Sequence, residues 1–142
     1  MERGEADGID LATQLVMSDP LYRRTSAEEA LTLIFSAHEK DQPYTLFDAR
    51  DAHSYGHGHL PGAVLLGEHD VGSWLGKLPP AQPIFIYCLF GLSSQTFAKR
   101  FADAGFSEVH SIDGGFPSLV KVLEQAREAA LGKATDGTAR QA

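Results

Sequence analysis

The chain contains one cysteine, Cys88. It ends the apolar run Ile84-Phe85-Ile86-Tyr87-Cys88 and opens a short loop, Leu89-Phe90-Gly91-Leu92-Ser93-Ser94, with a helix-like segment directly behind it. A buried strand, a cysteine, a tight loop and a helix, in that order, aim backbone N–H groups and the positive end of a helix dipole at one sulfur. Such a field favours thiolate over thiol, and the thiolate is the nucleophile. Gly91 reaches positive φ without steric penalty, so the loop can curl into a cup of N–H donors. Ser93 and Ser94 add hydroxyls at the helix start, where serine also caps. Leu89, Phe90 and Leu92 carry no charge. The cup therefore holds an anion by backbone and hydroxyl groups: a thiolate, or a persulfide anion after sulfur transfer. Taken alone, a cysteine ending a buried strand is most often a small core hydrophobe. The glycine three residues on and the abrupt switch to helix favour a reactive site.

Other residues invite chemical readings. Asp48 and Arg50 could act as an acid/base pair, but fixing a loop by hydrogen bonds and an ion pair explains them better, since an ionised thiol needs no strong base. His53 and His57 are four apart and could share a metal on a helix, yet no third ligand is placed, so no metal is expected. No organic cofactor is expected either. Asp113 is expected to cap or shape the Gly114-Gly115 turn.

Composition sets the frame for these groups. The 142 residues, 43% hydrophobic and 22% charged, suit one soluble globular domain with a real core. A formal net charge of −7 argues against nucleic acid or an anionic membrane as the main partner. No apolar run approaches the roughly 20 residues of a membrane span. The acidic start, Met1 to Asp7, lacks the apolar stretch of a secretory signal, and a lone cysteine fits a reducing cytoplasm.

The elements that position Cys88 follow from pattern. Residues 1–20 read as an extension in which Ile9, Leu11, Ala12, Leu15 and Val16 form a short amphipathic helix, for packing, docking or dimerisation. Ser26-Ala27-Glu28-Glu29 is a capping-box pattern whose helix turns Ala30, Leu31, Ile34 and Phe35 to the core. Strands are expected at Tyr44–Phe47, Ala63–Leu66, Ile84–Tyr87 and Glu108–Ile112. A short helix or turn is expected over Ala52–Gly58, and a short helix from an Asp70 cap through Leu75. A longer one covers Ser93–Ala104, stopped by Gly105. A last helix near Pro117 carries Leu119, Val122, Leu123, Ala126 and Ala130 as its apolar stripe. The domain spans 21–131, and 132–142 reads as a flexible tail. Alternating strands and helices imply a mostly parallel sheet covered on both faces, with sites beyond the carboxyl ends of its strands. Asp48, Cys88 and Asp113 stand at such ends.

The loop Cys88-Leu-Phe-Gly91-Leu-Ser93-Ser94 resembles the active-site loop of the rhodanese family, Cys-x-x-Gly-x-(Arg/Ser/Thr)-(Ser/Thr/Ala). Three more segments match that family in order: Leu46-Phe-Asp48-Ala-Arg50, Gly58-His59-Leu-Pro61-Gly62-Ala63 and Ser111-Ile-Asp113-Gly114-Gly115-Phe116. The resemblance covers about residues 22 to 130, with these segments lying between Leu46 and Phe116. The resemblance is to single-domain thiosulfate sulfurtransferases. It implies a three-layer α/β/α domain with a sheet of about five strands. It implies a ping-pong transfer through a Cys88 persulfide, from thiosulfate, a polysulfide or a persulfide to cyanide, a thiol or a protein. Leu89, Phe90, Gly91, Leu92, Ser93 and Ser94 would bind substrate, with Asp48, Arg50 and His59 in support. The partners implied are small sulfur anions or persulfides and a protein sulfur acceptor, with the chain a monomer or homodimer.

Two departures matter. The related cell-cycle phosphatases and the tyrosine phosphatases need Cys-x5-Arg, because the arginine clamps phosphate bidentately; here that position is Ser94, which argues against a phosphatase or arsenate reductase. Positions 89, 90 and 92 often carry polar or basic side chains in the family, and here all three are apolar. Weak thiosulfate affinity is therefore expected, with an apolar donor, a polysulfide or a protein persulfide as the better substrate. The alternative is a non-catalytic rhodanese-like module that binds a partner or carries persulfide for one.

Overall fold

The computed structural model describes residues 21–141, with side chains to residue 132. The expected helix over Ile9–Val16 lies outside the described residues. Five parallel strands form one sheet in the order β1-β5-β4-β2-β3. They are β1 (Arg23–Thr25), β2 (Thr45–Asp48), β3 (Val64–Leu65), β4 (Ile84–Tyr87) and β5 (Val109–Ile112). The helices are α1 (Ala27–Glu39), α2 (Ala52–Gly56), α3 (Val71–Lys77), α4 (Ser93–Asp103) and α5 (Gly115–Gln141).

The central strands β2, β4 and β5 are buried along their whole length. Successive side chains point to opposite faces, so each strand feeds two cores. Leu46, Phe85, Tyr87 and Ile112 pack with Ala30, Leu31 and Ile34 of α1 and Leu119 of α5. Phe47, Ile84, Ile86 and Val109 pack with Val71 of α3 and Phe97, Ala98 and Phe101 of α4. This is the three-layer α/β/α arrangement of about five strands.

α1 starts as its sequence predicts: the Ser26 hydroxyl accepts from the Glu29 N–H at 3.1 Å, and Glu28 and Glu29 face the positive end of the dipole. Phe35 departs from expectation. It is 53% exposed, because Ala27, Ala30, Leu31 and Ile34 fill the core-facing stripe and Phe35 falls on its margin. There it borders an apolar cleft of about 430 Å³ with Tyr44, Leu60 and Leu123.

β1 carries no apolar alternation and was not legible as a strand. Arg23 and Arg24 are exposed and only Thr25 is buried. It is an edge strand held by its register with β5, and two arginines suit an edge that must not recruit further strands. Asp70 stands at the cap position of α3, but its side chain makes no capping bond to that helix. A 3₁₀ turn over Glu68–Asp70 precedes that helix, and the Asp70 carboxylate accepts from the Gly67 N–H at 2.9 Å. α5 begins at Gly115, two residues before Pro117. Leu119 is buried, but Ala126 and Ala130 are exposed where the helix outruns the sheet. α5 continues into the 132–142 segment as far as Gln141. Among the described residues no helix is long and apolar enough to cross a membrane.

Candidate active site

β4 delivers Cys88 to the carboxyl edge of the sheet, and the chain then turns sharply into α4. The sulfur is enclosed, at 3% exposure. The Gly91 N–H donates to it at 3.1 Å and the Ser94 N–H at 3.2 Å. The thiol in turn lies 3.4 Å from the Ser94 hydroxyl. Leu92 occupies the cap position of α4 and offers no side-chain hydrogen bond. Cys88 Sγ therefore supplies the acceptor that a capping oxygen normally would. Burial pushes this thiol up, but the Ser94 hydroxyl and the N–H groups of Ser94, Gly91 and Phe90 outweigh it. The net result lies below the ordinary thiol value.

The cup depends on two glycines. Gly91 sits at φ +93°, and a Cβ there would stand 2.9 Å from the Gly114 N. Gly115 sits at φ +62°, and a Cβ there would overlap the carbonyl oxygens of Cys88 and Leu89. The start of α5 thus lies directly against the loop, with the Phe116 N–H donating to the Cys88 carbonyl at 2.9 Å. The sequence expectation that Asp113 caps or shapes this turn is not met by its carboxylate, which instead pairs with Arg24 at 3.0 Å and ties the turn to β1.

Asp48 and Arg50 brace the other side. Asp48 is fully buried and Arg50 nearly so. The guanidinium donates to the carboxylate through Nε at 3.0 and 3.1 Å and through a terminal nitrogen at 2.7 Å. That nitrogen also reaches the Gly58 carbonyl at 2.6 Å. The hydrogen bonds to Asp48 raise the Arg50 pKa further, despite the opposing effect of burial. Arg50 lies over the Phe116 ring at 3.8 Å, so the ion pair bears on the turn beneath Cys88. Tyr87 completes the brace. Its hydroxyl donates to Asp48 at 2.7 Å and accepts from the Leu60 N–H at 3.1 Å. Burial, with Asp48 beside it, drives that hydroxyl far above the usual phenol range.

His59 is not at the sulfur. It is exposed, stacks on Tyr55 at 3.7 Å and bonds the Tyr55 carbonyl through Nδ1 at 2.9 Å, which holds the turn before β3. The His53 and His57 rings lie 4.3 Å apart, tilted at 48°, and no group of three metal-ligating side chains exists among the described residues. Ser93 is exposed at the first turn of α4. Leu89, Phe90 and Leu92 face solvent around the cup at 49%, 65% and 75% exposure.

Three residues of this assembly were given no role from the sequence. Ser111, fully buried on β5, lies 2.8 Å from the Ser94 hydroxyl. Gln95 donates to the Gly91 carbonyl at 2.9 Å and accepts from the Tyr22 hydroxyl. Tyr87 looks like core in sequence. Only for Ser111 was there a signal: it heads the Ser111-to-Phe116 segment and places a small hydroxyl in a fully buried strand.

A parallel five-stranded α/β sheet with a cysteine cup at the end of its central strand and a Gly-Gly turn beneath it defines a class. The chain belongs to the rhodanese family: the family model described as Rhodanese-like domain matches residues 27–121. It is similar to the thiosulfate sulfurtransferase GlpE of Pseudomonas savastanoi pv. phaseolicola, at 34% identity over 95 residues, 67% of this chain and 84% of that protein. It is 36% identical to the thiosulfate sulfurtransferase GlpE of Pseudomonas entomophila over 95 residues, covering 67% and 82% of the two chains. The crystal structure of the Rhodanese_3 like domain of the Anabaena sp. Alr3790 protein superposes with a TM-score of 0.52 at 25% identity, over 56% of this chain and 92% of that one. The chain is a rhodanese-like sulfurtransferase.

Proposed function

We propose that Cys88 carries the transferred sulfur as a persulfide. The Cys88 thiolate attacks the outer sulfur of a sulfane donor such as thiosulfate, a polysulfide or a persulfide. A new S–S bond forms at Sγ while the donor's S–S bond breaks, and with thiosulfate the electron pair leaves on sulfite. An acceptor (cyanide in an assay, a thiol or a protein thiol in the cell) then attacks the terminal sulfur and restores the thiolate. This is covalent catalysis in two displacements. The observation that carries the reading is the inward aim of the Gly91 and Ser94 N–H groups at one buried sulfur, with the Ser94 hydroxyl 3.4 Å from it. Gly91 permits this curl and Ser94 replaces the arginine a phosphatase would need. Leu89, Phe90, Gly91, Leu92, Ser93 and Ser94 form the substrate-binding loop, and Asp48, Arg50 and His59 hold its surroundings. A reducing cytoplasm keeps the lone thiol available.

Intact mass after thiosulfate or polysulfide exposure tests this. A gain of about 32 Da for one sulfur, mapped to the Cys88 peptide and removed by cyanide, is expected. No gain with either donor overturns the proposal. A gain without thiocyanate turnover would instead favour a persulfide carrier.

Ser111 has a positioning role in this scheme. A Ser94 hydroxyl that donates to a thiolate needs its lone pair occupied, and the Ser111 hydroxyl at 2.8 Å can donate to it. Ser111→Ala is expected to lower kcat/KM roughly fivefold, the equivalent of about one hydrogen bond near 1 kcal/mol. It should also move the acidic limb of the pH–rate profile upward, because the thiolate loses support. A profile that keeps its midpoint would show that Ser111 only packs.

A further inference from the structure

The rim of the cup is apolar and wet. Leu89, Phe90 and Leu92 all lie within four residues of Cys88, and each is about half exposed or more. Residues 88–94 include no lysine or arginine, and the formal charge of the chain is −7. Arg50, the cation braced against Phe116, is itself buried and committed to Asp48 and the Gly58 carbonyl. A doubly charged donor entering this mouth loses strong hydration, and from the loop 88–94 it gains only dipoles in exchange. A singly charged donor loses much less, and an apolar substituent on it covers side chains that otherwise stay in contact with water.

From this we infer that Leu89, Phe90 and Leu92 are specificity determinants, selecting organic sulfane donors that bear one negative charge and an apolar group over the thiosulfate dianion. The inference rests on the sulfurtransferase reading above and names its donor class. An organic thiosulfonate, R–SO2–S⁻, is the simplest example. The Cys88 thiolate attacks its terminal sulfur, the S–S bond to the sulfonyl sulfur breaks, and the sulfinate R–SO2⁻ departs with the electron pair, leaving Cys88–S–S⁻. Organic persulfides, R–S–S⁻, share the charge and the apolar group and release a thiolate.

The test compares kcat/KM, with cyanide as acceptor, for thiosulfate, methanethiosulfonate and benzenethiosulfonate. Benzenethiosulfonate should exceed thiosulfate by about tenfold or more, with methanethiosulfonate between them. Donors differ in intrinsic reactivity, so the decisive quantity is how the ratio changes in rim variants. Phe90→Ser with Leu92→Ser should cut the benzenethiosulfonate-to-thiosulfate ratio by about tenfold, and Leu92→Arg should raise kcat/KM for thiosulfate. Leu92→Ser alone, at the most exposed rim position, guards against misfolding of the double variant and should move the ratio in the same direction. A ratio unmoved by these changes, or a wild-type preference for thiosulfate, overturns the selectivity while leaving the sulfurtransferase standing. No turnover with any of the three donors overturns the transfer reading and the selectivity with it.

Discussion

Cys88→Ala should abolish sulfur transfer, with turnover falling by about a thousandfold or more, as loss of a covalent nucleophile does. The structure adds a second consequence. Sγ accepts from the buried Gly91 N–H and the Ser94 N–H at the start of α4. Alanine leaves both donors without a partner, which costs about 1–3 kcal/mol for a buried polar group. Serine removes the nucleophile and keeps an acceptor. Thus Cys88→Ser should be as inactive as Cys88→Ala yet closer to wild type in thermal denaturation. The stability difference between wild type and Cys88→Ala should also depend on pH. The folded thiol titrates below its ordinary value. Its contribution is therefore full above the unfolded thiol pKa, about 8.5, and fades as pH falls through the lower folded value. Denaturation across pH 5 to 9.5 checks this: a gap between the two proteins that fails to widen with rising pH would contradict a stabilised thiolate.

Asp48→Ala should be the most destabilising of the site substitutions, costing about 3–5 kcal/mol. Asp48 is fully buried and the Arg50 side chain is 6% exposed, so removing the carboxylate strands a cation that water barely reaches. Tyr87 loses its acceptor at the same time. A melting temperature lower by roughly 10–20 °C is expected for a domain of this size. Asp48→Asn keeps an acceptor for Tyr87 but not the charge, and should fall between. Replacing Asp48 and Arg50 together by apolar residues of similar volume should recover much of the loss, because the cost lies in the unpaired charge. If the double variant is no more stable than Asp48→Ala, the pair matters through Gly58 and Phe116 rather than through its charge.

Much of the scaffold was legible because burial and periodicity leave a direct trace. Ile84–Tyr87 reads as a strand from its unbroken apolar run and is one. The Ser26 capping pattern marks where α1 starts. Phe97 and Phe101, four apart, predict the buried face of α4. β1 was hidden because an edge strand needs only backbone pairing, and Arg23 and Arg24 report solvent rather than a sheet. Phe35 was misplaced because a helical stripe is wider in sequence than the surface it covers. Asp70 bonds locally, though to the Gly67 N–H of the turn before α3 rather than to α3 itself, whereas Asp113, assigned a local role at its turn, reaches Arg24, 89 residues away in sequence.

For the site itself, the sequence by itself picked out Cys88 and its loop. Residue type and spacing at Cys88, Gly91 and Ser94 are local facts, and the physics they invoke (positive φ, N–H donors, a helix start) acts over a few residues. What surrounds that loop is non-local, and only the tertiary structure decided it. Ser111 reaches Ser94 because β5 lies beside β4. Gly115 must lack a side chain because the start of α5 presses on the carbonyls of Cys88 and Leu89. Asp48, Arg50, Tyr87 and Phe116 form one brace because parallel strands end on the same edge of the sheet. Contacts of this kind arise between segments far apart in the chain, and no spacing rule within a segment encodes them.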